Sequence, residues 1–138
     1  MKNVQWKYSK GEVNEATIAE LESFYQVTFP EFYKKIIRKY NGARPRPCII
    51  HIKQGIDIEL RSFLPIGKSL PDNLVTINKA LQVSLPKGVI AFANDDFGNY
   101  FCFDFRKKDR VVSSFFEHET SNLITISNEP FKSLSLSV

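Results

Sequence analysis

The sequence predicts an α+β fold: one domain with a mainly antiparallel sheet, an N-terminal helical pair and a further helix packed on it. Three observations carry this. The early part of the chain has two apolar stripes at helical spacing, each with start and stop signals. The stretch 89–105 places two apolar runs around the polar turn Asn94-Asp95-Asp96-Phe97-Gly98-Asn99. A short polar connector, residues 106–110, then leads into another apolar run at 111–116, the pattern of antiparallel strands joined by turns.

In chain order, Asn14 suits the cap of a helix reaching about Tyr25, with Ile18, Leu21 and Tyr25 at helical spacing. Pro30 suits the first turn of a second helix, where its missing N–H costs nothing. Phe32, Tyr33, Ile36, Ile37 and Tyr40 form its apolar stripe, and Asn41-Gly42 ends it. Arg44-Pro45-Arg46-Pro47 reads as a stiff, extended connector. Residues 48–52 and 56–60 read as strands around Gln54-Gly55. A third helix is expected over 72–81, with Leu74, Ile77 and Leu81 inward. The central strands follow, with 99–105 paired to 111–116. Phe101, Phe103 and Phe105 fall on one face, and Tyr100, Cys102 and Asp104 on the other. A short strand at 123–126 and a helical turn from Pro130, with Phe131 and Leu134 apolar, complete the order α-α-β-β-α-β-β-β-α.

Bulk properties limit the function classes. A chain of 138 residues and 15.9 kDa is large enough for one buried core without staples, so the whole of 1–138 is expected to be one domain, its core running from about residue 14. Twelve Phe and five Tyr suit a strand-rich core with some aromatics left for a binding surface. The basic Met1-Lys2 start is interrupted by Asn3, Gln5 and Lys7, so no signal peptide is expected. No run approaches the roughly 20 apolar residues of a membrane span. Two well-separated cysteines fit a reduced, cytoplasmic protein.

The catalytic inventory is sparse. His51 and His118 are the only histidines, and Cys48 and Cys102 the only cysteines. No CxxC or HxxxH spacing exists, so neither a metal nor a cofactor is expected. Asp95-Asp96 with Gly98 lacks the alternate-position ligands and closing Glu of an EF-hand. Cys48 and His51, three apart on a strand, point to opposite faces. His118 between Glu117 and Glu119 has the makings of a carboxylate-held base, but a histidine hydrogen-bonded to fix a strand end is the favoured reading. The reading is non-enzymatic.

Charge says more. Residues 30–46 carry Lys34, Lys35, Arg38, Lys39, Arg44 and Arg46 against Glu31, a net of +5, and residues 106–110 a net of +3. Taken from the overall +4, these windows leave −4 for the remainder. Residues 88–105 and 111–131 contain no Lys or Arg but hold Asp95, Asp96, Asp104, Glu117, Glu119 and Glu129. The sequence pI near 9.1 thus covers a basic helix and an acidic, aromatic sheet region. Either these charges simply solvate the surface, or the acidic region meets a basic partner.

Phe29-Pro30, Asn41-Gly42, the turn from Asn94 to Asn99, and His118-Glu119, in this order, resemble the SUKH superfamily. That group includes the yeast cell-wall-assembly regulators and many bacterial immunity proteins. The likeness runs from about residue 14 to the C-terminus, with Ala43 standing where many members carry a second glycine. It implies a non-enzymatic binding protein: an immunity protein that neutralises a cognate bacterial toxin, a nuclease or nucleotide-modifying enzyme, by blocking its active site. Such toxins have basic substrate grooves. The candidate contacts are then Asp95, Asp96, Asn99, Tyr100, Asp104, Glu117 and Glu119. Two other classes stay open. One is a nucleic-acid-binding module that sets the basic residues of 30–46 on phosphates; the other is a regulatory or scaffold protein like the cell-wall regulators.

Overall fold

The computed structural model describes residues 4–138; residues 1–3, which include the basic Met1-Lys2 start, lie outside the described residues. Asn14 caps α1 (Glu15–Tyr25), its side-chain oxygen accepting from the Thr17 N–H at 2.8 Å. This satisfies one of the donors that a helix start leaves unpaired. Pro30 stands one position before α2 (Glu31–Lys39), and its carbonyl accepts from the N–H groups of Tyr33 and Lys34. Gly42, at φ +63°, turns the chain out of the helix. The third helix, α3 (Leu74–Leu81), is capped by Asn73, and α4 (Glu129–Ser135) closes the chain. Leu74, Phe131 and Leu134 are buried as the spacing implied, while Ile77 is half-buried and Asn78 takes an inward position.

The strands form three antiparallel groups. β1 (Gln5–Lys7) pairs with β2 (Arg44–Arg46), and β3 (Ile49–Lys53) with β4 (Ile56–Glu59). The main sheet runs in the order β5 (Ser62–Phe63), β6 (Val89–Asn94), β7 (Tyr100–Asp104), β8 (Val112–Glu117), β9 (Asn122–Ile126). The β7–β8 hairpin has the register expected from sequence, with Phe101 opposite Phe115 and Asp104 opposite Val112. Three strands were not anticipated. β1 and β5 are only three and two residues long. β2 is the segment taken for a connector; its Pro45 lies opposite Trp6 in a two-stranded ribbon, an arrangement open to proline where no second neighbour needs its missing N–H. The sheet also has four strands after α3, one more than the expected order allows.

One face of the main sheet makes an aromatic core. Phe92 and Phe103 stack with ring centroids 3.9 Å apart, and Tyr33 of α2 and Phe131 of α4 meet Phe92 edge-on. Phe29 joins Phe103 and Phe105, and Phe101 meets Phe115 and Phe131. This confirms the shared face of Phe101, Phe103 and Phe105. It also corrects the picture of an aromatic surface: Phe92, Phe101, Phe103, Phe115 and Phe116 are all buried. Truncating one of these rings to alanine costs about 3–5 kcal/mol in typical cores. Cys102, on the opposite face, is equally enclosed, so the centre of β7 is covered on both sides.

Two side-chain amides finish what the short strands leave open. β5 pairs with β6 only at Ala93 and Asn94. Farther along β6, the Asn78 side chain donates to the Ala91 carbonyl at 2.9 Å and accepts from the Ala91 N–H at 2.8 Å. A carboxamide thus occupies the place of the next strand residue and closes a buried edge. Asn41 does the same for Ile66, with bonds of 2.9 and 2.8 Å, while its own backbone pairs with Lys10 and Gly11.

Candidate functional site

The β6–β7 turn and the end of β8 form one structured corner. Asp95 is 3% exposed. One of its oxygens accepts from the N–H groups of Phe97 and Asn99 at 2.8 and 2.9 Å, and the other from the Asn99 amide at 2.9 Å. The Asn99 Oδ1 in turn accepts from the His118 backbone N–H at 3.0 Å and from its Nδ1 at 2.9 Å. This fixes the imidazole proton on Nδ1, since an amide oxygen only accepts. Gly98 sits at φ +84°, and a Cβ there would come within 3.3 Å of the His118 ring. The turn motif and the His-Glu motif are therefore two halves of one lock between β7 and β8.

What the lock leaves outward is small and acidic. Phe97 stands 72% exposed at the tip of the turn, next to Asp96. Glu119 is exposed beyond His118, whose Nε2 lies 4.0 Å from its carboxylate, and Glu117 is half-buried at the end of β8. Tyr100, half-buried at the start of β7, has its phenol pushed above the ordinary value by burial, with Asp72 and Asp95 adding to the effect.

The candidate residues thus separate. Asp96 and Glu119 stand exposed in the two turns of this corner, Glu117 is half-buried at the end of β8, and Tyr100 is half-buried at the start of β7. Asp95 and Asn99 spend their polar atoms inside the turn. Asp104 lies at the far end of β7, about 13 Å along the strand, where Arg106 grips it with Nε and Nη2 at 2.9 and 2.8 Å. That hydrogen-bonded guanidinium holds the Asp104 carboxyl below the usual carboxylate range. Phe97 was missed by the sequence reading. Its signal was present, an aromatic among turn-forming polar residues, but aromatics elsewhere in the stretch are core.

The basic helix is less basic in three dimensions. α1 lies against α2 and delivers Glu22 to Lys34 at 3.3 Å and Glu15 to Arg38, which also meets Glu31 at 2.8 Å. Lys34 keeps only 14% of its side chain exposed, so it is not part of an open basic face. These pairs hold the Arg38 guanidinium above its ordinary value. Lys35 and Lys39 keep their charge outward, Lys39 over the Tyr40 ring. Elsewhere, Cys48 is in the core with its thiol pushed up to about 12 by burial, while His51 is exposed and bonded to Asp57. The two do not meet. Among the described residues no three His, Cys, Asp or Glu side chains gather in a way that could hold a metal ion, and no helix is long and apolar enough to cross a membrane.

A search against protein families matches residues 12–131 to the SMI1 / KNR4 family (SUKH-1). The chain belongs to this family. The match spans both α1 and the His118 corner, so the residues that carried the resemblance lie within it. The SUKH family is generally non-catalytic, includes immunity proteins and points to protein–protein interaction as the mode of action. A search of curated proteins finds no match.

Proposed function

We propose that this SUKH protein is a cytoplasmic immunity protein that binds a cognate bacterial toxin and covers its basic substrate groove. The observation that supports this reading best is the corner built by the β6–β7 turn. It presents one large exposed aromatic, Phe97, next to Asp96 in the turn, on a base fixed by Asp95, Asn99 and His118, with Glu119 exposed just past His118. An aromatic anchor on a preorganised support is the usual centre of an interface hot spot. The exposed carboxylates of this corner would steer a basic partner and reject acidic ones. Asp104, neutralised by Arg106 and far along the strand, drops out of the contact set. Asp95 supports the surface without touching the partner. The nucleic-acid reading loses ground, since two cations of α2 are already paired with glutamates.

Titration calorimetry against the cognate toxin domain, sought first among the products of adjacent genes, tests the proposal. Phe97→Ala is expected to weaken binding by at least about 2 kcal/mol, as hot-spot truncations do, and Asp96→Lys with Glu119→Lys to slow association and weaken it further. Lys35→Glu with Lys39→Glu should leave affinity nearly unchanged. Binding lost in the lysine variant and kept in Phe97→Ala would move the interface to α2 and overturn the assignment.

A further inference from the structure

Beside the acidic corner lies a surface of opposite charge. A cleft of about 660 Å³ opens between the β1–β2 ribbon and the segment that runs from Arg61 toward α3. Lys10, Arg44 and Arg61 line it against a single carboxylate, Asp72. Among the described residues neither Lys10 nor Arg44 has an ion-pair partner. Arg44 is positioned instead by the Tyr8 ring, its guanidinium carbon 5.4 Å from the centroid. Arg61 is half exposed and leans on Asp96 at 3.6 Å. Ile77 and Tyr100 give the cleft an apolar side.

The walls are tied to each other. The Asn41 side chain pairs with Ile66, the Ala43 carbonyl accepts from the Phe63 N–H at 3.0 Å, and Gly42 lies so close to Pro65 that a Cβ would meet it at 2.9 Å. The cavity is therefore formed before any ligand arrives, and its volume is within the range of small-molecule sites. Strand addition by a peptide is disfavoured, because the N–H groups of Ser62 and Phe63 on the adjoining β5 are both taken, by Asn94 and Ala43.

We propose that this cleft binds a nucleoside phosphate, with the phosphates held by Lys10, Arg44 and Arg61 and the base laid against a tyrosine. Guanidinium forks match phosphate oxygens in pairs. Two tyrosines, Tyr8 exposed and Tyr100 half-buried, offer the flat faces that bases stack on. The ligand is anionic at one end and planar at the other, and the lining supplies both cations and aromatic rings.

ADP is the probe, titrated into the full chain at low salt by calorimetry, with amide chemical shifts recorded in parallel. One-to-one binding is expected, with shifts at Tyr8, Gly42 and Tyr100. Adenosine and pyrophosphate should each bind at least about tenfold more weakly than ADP, since each keeps one half of the contacts. Arg44→Glu should weaken ADP at least about tenfold, and Lys10→Gln, milder and at an exposed site, should weaken it in the same direction if Arg44→Glu unfolds. Phe97→Ala should leave ADP binding intact, so this result stands or falls apart from toxin recognition. The proposal is overturned by no saturable ADP binding, by undiminished binding in the two cation variants, by pyrophosphate matching ADP, or by hexaglutamate binding more tightly than ADP.

Discussion

A carboxylate with three donors aimed at it inside one turn is in a different position from a carboxylate on the surface, and Asp95 is the former. Its removal strands two backbone N–H groups, of Phe97 and Asn99, in a partly buried turn. Asp95→Ala should therefore cost about 1–3 kcal/mol, read as a lower urea midpoint with an unchanged slope. Asp104 behaves differently. The Arg106 contact lowers its pKa in the folded protein, so it contributes stability above the ordinary carboxyl pKa of about 3.9. That contribution is lost as pH falls through the lower folded value. Thermal melts across this acid range should show a shallower decline for Asp104→Asn than for the parent, with a small loss at neutral pH. The loss is small because half of the Arg106 side chain is in water. At this scale the sequence identified the turn and its residues well. It did not separate inward from outward carboxylates, because Asp95 and Asp96 are chemically identical until the chain folds around one of them.

Elements that repeat or alternate were legible, and those made from two or three residues were not. α1, α2 and the β7–β8 hairpin carry enough periodic positions for pattern to decide. β5 has only Ser62 and Phe63, and it exists because β6 is already in place to receive it. The amides that extend it are harder still to foresee, since Asn78 sits in a helix where asparagine has no special propensity. Its role implies a measurement. Asn78→Leu keeps the number and branching of the side-chain heavy atoms but removes both bonds to Ala91, leaving a buried donor and acceptor unpaired. A loss of about 1–3 kcal/mol is expected, with hydrogen exchange at the Ala91 amide accelerating more than at Phe103 in the sheet interior. Equal acceleration at both would mean that Asn78 acts through global stability alone.

Across the whole molecule, linear charge windows misplace the field. The +5 window at 30–46 is divided by the fold: Lys34 and Arg38 are neutralised by Glu22, Glu15 and Glu31, while Arg44 joins Lys10 and Arg61 at the cleft. Pairing across 7 to 23 positions of sequence cannot be read from composition. The acidic window divides as well, with Asp95 and Asp104 committed internally, Asp96 at the surface beside Arg61, and Glu119 exposed. The surfaces left over are an acidic corner and a basic cleft that meet at the Arg61–Asp96 pair. Residues that serve a partner rather than the core should be separable by stability. Phe97→Ala and the Lys35→Glu, Lys39→Glu pair are each expected to shift unfolding free energy by no more than about 0.5 kcal/mol. A Phe97→Ala variant that unfolds readily would show that the ring supports the turn instead of facing a partner.

The Asn41-Gly42 junction also sets how this protein ages. Asparagine followed by glycine is chemically prone to deamidation, because the small glycine lets its backbone nitrogen attack the side-chain carbonyl carbon. Here the amide is clamped by Ile66 and almost wholly buried, and Gly42 is pinned against Pro65, so the folded chain holds the reacting atoms in place. Each excursion to the unfolded state releases them. A carboxylate formed at position 41 would then face the Ile66 carbonyl with no hydrogen to offer, and refolding would have to bury two opposed oxygens. Damage at this one amide thus records time spent unfolded, and it makes the next unfolding easier.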